Sequence, residues 1–210
     1  MKERDERGLK MTKQLVEKNR AYIICNGQSR IDFDLSRLSN CVTFGCNALY
    51  REWVPTWLIS IDKGISPEIR TSSFPNDKHI VPPLDEQHEP VEYNPNRPRS
   101  NAGMNAMAEA IKKGYNQLYI LGMDFILADN KYTMSNLFDG TENYGMETRA
   151  TERDQLARCG YLTWFCRKHN DTSFRFVFPR DVEAYREIKS PNVTGMFYDQ
   201  LTVDTSVLRN

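Results

Sequence analysis

Residues 22–30 read YIICNGQSR, and the fold turns on them. A short apolar run, Tyr22–Cys25, breaks into a tight polar loop of Asn26, Gly27, Gln28 and Ser29. A strand that ends in small polar residues at the carboxyl edge of a sheet readily seats a phosphate or nucleotide. Backbone N–H groups there face an anion with no side chain in between. One glycine stands where a dinucleotide fingerprint has three, and Asn26-Gly27 is equally a good turn dipeptide. The loop gains weight because later strands end in the same kind of residue.

Outward from this loop, Ala21–Cys25, Cys41–Gly45 and Trp57–Ile61 read as buried strands, with a weaker one at His79–Val81. Residues 82–100, PPLDEQHEPVEYNPNRPRS, hold five prolines and little periodicity, and read as a long loop. Loops of that length inside a domain often serve as lids or excursions. Ser100 or Asn101 then caps a helix through AGMNAMAEAIKK, with Met104, Met107, Ala108 and Ile111 at helical spacing and Gly114 at its C′ position. That Met and Ala stripe reads as core packing. QLYILG follows as a central strand, with Asp124 just past its end. Residues 128–150 are polar and read as a lid loop, and Thr151 with Asp154 fits a capping box opening a helix to about His169. FRFVF, 174–178, is a last strand closed by Pro179.

Strands alternating with helices predict an α/β, Rossmann-like, mainly parallel sheet with helices on both faces and a polar lid. The expected organisation is a charged N-terminal helix or arm at 1–20, a nucleotide-binding domain at 21–180 with its lid at about 128–150, and a C-terminal tail at 181–210 with no assigned element. At 210 residues, with 40% hydrophobic and 27% charged, the chain suits one ordinary globular domain. Its formal net charge of zero supplies no field to draw nucleic acid or an anionic membrane. No apolar run approaches the roughly 20 residues of a membrane span, and the charged start lacks a signal-peptide apolar region. The five cysteines form no close CxxC pair and read as reduced core thiols, so a cytoplasmic location is expected.

In doubly wound sheets, ligands bind outside the carboxyl ends of the strands, where the topology switches. The residues that matter therefore follow each strand. Asn26, Gly27 and Ser29 follow the first, Asn47 the second and Asp62 the third. Ser100, Asn101 and Gly103 open the central helix, and Asp124 follows the strand behind it. Amides, hydroxyls, a helix N-terminus and two carboxylates on one edge suit a base, a ribose and a phosphate. The same residues also make ordinary caps and turns, and Asp62 and Asp124 can simply bind loop amides. There is no GxSxG elbow, Walker GK[ST] or HExxH. Of the three histidines, His79, His88 and His169, only His88 lies in a loop with an easy route to the site. His169 lies near a helix C-terminus, where a charged imidazole is favourable. Tyr132, Tyr144 and Glu147 lie in the lid loop and are candidate substrate contacts.

Taken in order, YIICNGQSR, CVTFGCN and RSNAGMNAMAEAIKKGYNQLYILGMDF resemble the bacterial lipooligosaccharide sialyltransferases, which transfer sialic acid from CMP-sialic acid. The same outline is similar to a group of 6-hydroxymethylpterin pyrophosphokinase-like proteins, whose enzymes use ATP with a divalent metal. The likeness covers about residues 20–130. It implies a Rossmann-like fold binding a cytidine nucleotide through Asn26, Ser29, Asn47, Ser100, Asn101 and Gly103, with Tyr132 near the phosphate. The chain departs from the sialyltransferase pattern in one respect that matters. Those enzymes carry a general-base histidine before the helix that starts here near Thr151, whereas residues 139–153, DGTENYGMETRATER, contain none. A phosphate-facing tyrosine of the family is replaced by Ile126.

The leading expectation is a glycosyltransferase-like protein binding a nucleotide-sugar donor and a glycan acceptor, with no cofactor required and Glu147 and His88 as candidates for acceptor activation. The chain is expected to bind no nucleic acid, and a homo-oligomer is left open as a partner. A second expectation is Mg²⁺-dependent pyrophosphoryl or nucleotidyl transfer with the metal on Asp62 and Asp124. A third is a non-catalytic nucleotide-binding module.

Overall fold

The computed structural model describes residues 19–83, 101–128, 136–143, 151–180 and 188–203. Its elements run β1 (Arg20–Ile24), β2 (Thr43–Cys46), β3 (Trp57–Ile59), α1 (Ile65–Thr71), β4 (His79–Ile80), α2 (Ala102–Lys112), β5 (Gln117–Leu121), α3 (Glu152–Lys168), β6 (Ser173–Phe178) and β7 (Val193–Phe197). Short 3-10 turns lie between them. The strands form one seven-stranded sheet in the order β4-β3-β2-β1-β5-β6-β7, and every pairing is parallel. The chain winds from β1 outward to β4, returns to the other side of β1, and winds outward again from β5. The switch point therefore lies between β1 and β5.

A parallel sheet is covered on both faces, so its central strands are apolar on both sides. β1 shows this directly. Ala21 and Ile23 pack with Phe44, Leu118, Ile120, Phe174 and Phe176 under α2 and α3. Tyr22 and Ile24 pack on the opposite face with Leu35, Leu38, Leu49, Leu58, Ile65 and Ile69, which belong to the 3-10 turns, β3 and α1. Tyr22 lies opposite Tyr119 in the β1–β5 register, and their rings stack at 5.2 Å.

The capped helix forms as its sequence predicts. Asn101 Oδ1 accepts from the Met104 backbone N–H at 2.9 Å, an arrangement whose loss costs about 1 kcal/mol. Met104, Met107 and Ala108 are buried, and Gly114 takes a φ of 90°, the left-handed conformation that ends the helix. The predicted strands stand within a few residues of their expected bounds. β7 is the addition, lying in the stretch after residue 180 for which the sequence predicts no element. It is an edge strand with Thr194 and Gly195 exposed, so it carries no apolar run.

His169 directly follows the last residue of α3. Its ring lies against Phe165 at 4.6 Å, and burial holds its pKa below the usual value. The Lys168 charge lowers it further and the Asp171 charge opposes both. All five cysteines are free thiols. Among the described residues no helix is long and apolar enough to cross a membrane.

Candidate functional site

The loop after β1 is pinned from several directions. Gly27 N–H donates to Gly122 O at 2.9 Å. A Cβ on Gly27 would lie 2.4 Å from both Gly122 O and Asp124 Cγ, so the loop packs on the turn after β5 only because the residue is glycine. Ser29 gives both its donors to one carboxylate: its N–H reaches Asp124 Oδ2 at 2.8 Å and its hydroxyl reaches Asp124 Oδ1 at 2.5 Å. Beneath the loop, Arg30 is 1% exposed. Its Nε donates to Cys25 O at 2.9 Å, and its two terminal nitrogens donate to Glu52 at 3.2 and 3.1 Å.

Asp124 is buried, and that burial pushes its pKa up to about 6 against the opposing pull of the Ser29 hydrogen bonds and the Arg30 charge. Of the two roles open to Asp124, the geometry gives it the loop-anchoring one. Ser29 is its partner and does not line the cavity described below.

A cavity of about 190 Å³ opens at the switch point, lined by Asn26, Asn47, Asn101, Gly103, Gln155 and Arg158 among others. Asn26 Nδ2 donates to Cys46 O at 2.9 Å, across to the end of β2. Asn47 takes a φ of 47°, unusual for a residue with a side chain, and its Nδ2 donates to Asp62 Oδ2 at 2.6 Å. Each amide nitrogen therefore has a fixed acceptor, which sets the orientation of each carboxamide. The two oxygens, Asn26 Oδ1 and Asn47 Oδ1, are buried and have no hydrogen-bond partner among the described residues. Most buried polar atoms are paired, so two orphan acceptors beside one cavity single it out.

Asp62 supports Asn47 from behind. Burial raises its pKa, opposed by the Asn47 hydrogen bond and by the charge of Arg158. Gly103 brings α2 close to β1, since a Cβ there would lie 2.5 Å from Cys25 Sγ and 2.8 Å from Met123 Cε. The N-terminus of α2 therefore opens onto the same cavity, where its unpaired N–H groups and partial positive charge favour an anion. Among the described residues no group of three or more His, Cys, Asp or Glu side chains is placed to hold a metal ion. Asp62 and Asp124 are engaged with Asn47 and Ser29 respectively.

Of the residues singled out by sequence, Asn26, Gly27, Asn47, Asn101, Gly103 and Asp124 come together at this cavity. Ser100, Tyr132, Tyr144, Glu147 and His88 lie outside the described residues. His79 lies away from it on β4, with Nε2 2.7 Å from Ser60 Oγ.

Three polar cavity residues lie outside the sequence-based candidates: Asn136, Gln155 and Arg158. Asn136 belongs to a segment stitched to the loop after β1 by a bridge to Gly27 and by the Leu137 N–H donating to Asn26 O at 2.8 Å. Gln155 and Arg158 are three apart in the first turns of α3 and so share a face. That helix follows a connection leaving the carboxyl end of β5, and its first turns necessarily begin at the ligand edge of the sheet. No protein-family model, curated protein or solved structure matches the chain.

Proposed function

We propose that the chain is a glycosyltransferase-like, sialyltransferase-like protein that binds a nucleotide-sugar donor, CMP-linked, at the carboxyl ends of β1, β2 and β5. The observation that carries this is the pair of orphan carboxamide oxygens, Asn26 Oδ1 and Asn47 Oδ1, buried at a cavity on the switch point. An unsatisfied buried acceptor costs about 1–3 kcal/mol. The amine of cytosine or the hydroxyls of ribose are donors that recover it. The N-terminus of α2 beside the same cavity suits the phosphate. The ordered motif likeness of residues 20–130 points to the same donor. Such transfer depends on positioning and on stabilising the leaving group's charge. Glu147 and His88, the candidates for acceptor activation, lie outside the described residues. A cytoplasmic location accompanies the proposal, in keeping with the five free thiols.

Thermal unfolding with CMP, CDP, UDP and ATP, each with and without Mg²⁺, tests it. A ligand bound only by the folded chain adds about 2.7 kcal/mol at a hundred times its Kd. The expected result is a rise with CMP or CDP that needs no metal. A rise confined to ATP with Mg²⁺ replaces it with pyrophosphoryl transfer, and no rise with any nucleotide removes both.

A further inference from the structure

Cys25 and Cys46 stand side by side where β1 and β2 end. The β1–β2 register sets Ile24 against Gly45, and one step further sets Cys25 against Cys46. The nucleotide reading uses neither thiol, yet both residues line the strand-end cavity. We propose that these two thiols are a redox-active pair in the cavity wall, closing to a disulfide on exchange with a low-molecular-weight disulfide and so lowering the affinity of the site for its ligand. The modification rests on the two cysteines, and its effect on affinity rests on the nucleotide reading above.

Several observations place the pair. Adjacent strands lie about 4.8 Å apart, inside the roughly 4.4–6.8 Å between α-carbons that a disulfide spans. Both side chains leave the sheet on its α2 face, packing in the cluster that holds Ala21, Ile23, Phe44 and Met104. A Cβ on Gly103 of α2 would lie 2.5 Å from Cys25 Sγ, which puts that sulfur at the mouth of the helix. A side-chain hydrogen bond joins the two thiols and, together with burial, holds the Cys46 pKa well above its ordinary value. Finally, each cysteine directly precedes one of the cavity carboxamides, Asn26 and Asn47, and Asn26 Nδ2 donates to Cys46 O at 2.9 Å. Drawing the sulfurs to the roughly 2.05 Å of a disulfide therefore pulls on the backbone that carries both.

The exchange balances as follows. One cysteine, as thiolate, attacks a sulfur of the small disulfide and expels a small thiol. The second cysteine attacks the resulting mixed disulfide and expels the other. One S–S bond forms in the chain and one breaks in the oxidant, with two electrons and two protons leaving on the two small thiols. A dithiol reductant reverses it.

The test treats the folded, full chain with oxidised glutathione, alkylates the remaining thiols and maps disulfides by peptide mass spectrometry. Calorimetry then gives the CMP affinity of the reduced, oxidised and re-reduced chain. A Cys25–Cys46 link is expected, with CMP weakened roughly three- to tenfold, the factor for one hydrogen bond lost, and recovered on reduction. Cys25→Ala and Cys46→Ala should each abolish both the link and the response of CMP affinity to oxidant.

Exposure alone predicts a different order, since Cys41 and Cys159 are less buried than Cys25 and Cys46. Glutathione carried on Cys41 and Cys159, with Cys25 and Cys46 both recovered as alkylated thiols, overturns the pair. A mapped link with equal CMP affinity in both forms overturns the control of binding and leaves the nucleotide reading standing. A mapped link with no CMP bound by either form removes the nucleotide reading and supports the redox pair. Should the alanine variants fail to fold, the map on the unsubstituted chain decides by itself.

Discussion

Ser29 closes on Asp124 twice, through its backbone N–H at 2.8 Å and its hydroxyl at 2.5 Å, one to each oxygen of a buried carboxylate. The loop that approaches the ligand is thus held by an ionisable group whose charge is disfavoured by its surroundings. Stability should follow its titration. Asp124 has an ordinary pKa of 3.8 and a folded value of about 6, so the folded state holds the proton more tightly than the unfolded chain between those values. Its stabilising contribution is complete below the unfolded pKa and is lost as pH rises through the folded one, by on the order of 3 kcal/mol. Asp124→Asn, which can still accept from the Ser29 N–H and donate to its hydroxyl, should flatten that slope. Urea unfolding of both proteins from pH 4 to pH 7.5 checks it, and equal slopes would sink the idea.

Gly27→Ala tests packing alone. Gly27 has a φ of −67°, which any residue adopts, so backbone freedom is not at issue. The obstacle is a new Cβ 2.4 Å from the Gly122 carbonyl oxygen and the Asp124 side chain. Relief requires the two loops to part, which should cost about 1–3 kcal/mol in denaturant unfolding and weaken nucleotide binding with it.

Asn47→Ala should lower both stability and nucleotide affinity while leaving a folded chain. Alanine at a φ of 47° costs about 1–2 kcal/mol in the left-handed region, and Asp62 loses the donor at 2.6 Å. A fold weakened by a few kcal/mol and a nucleotide affinity reduced at least tenfold are expected. Retained affinity in a folded variant would remove Asn47 from the site.

The Arg30–Glu52 pair should behave asymmetrically. The arginine side chain is 1% exposed and the glutamate 47%, so water already screens the acid. Glu52→Ala should cost about 1 kcal/mol, as exposed pairs do. Arg30→Ala should cost about 3–5 kcal/mol, because it empties a buried volume and strips Cys25 O of its donor at 2.9 Å. Paired denaturation curves decide between this and equal losses.

The sheet was legible because its central strands are apolar on both faces and stand out as short runs: Ala21–Cys25, QLYILG and FRFVF. The carboxyl-end rule then located Asn26, Asn47 and Asn101 at one cavity. β7 was not legible, since VTGMF is a half-exposed edge strand with no apolar signal. The role of Ser29 was not legible either, because a hydroxyl that anchors a loop and one that faces a ligand look identical in sequence. Arg158 was hidden in ERDQLARCGY, where nothing marks one arginine as turned toward the sheet rather than toward water.

The loop at Asn26–Ser29 is among the first described segments in the chain, yet its clasps arrive late. Leu137 N–H closes on Asn26 O, and the Tyr198 hydroxyl donates to Ser29 O at 2.5 Å from 169 positions downstream. Closing such distant contacts is entropically costly and slow relative to local ones. During synthesis the first strand can pair long before its loop acquires these partners. Acquisition of ligand affinity should therefore be a late event of folding, one that waits on the segment following β7.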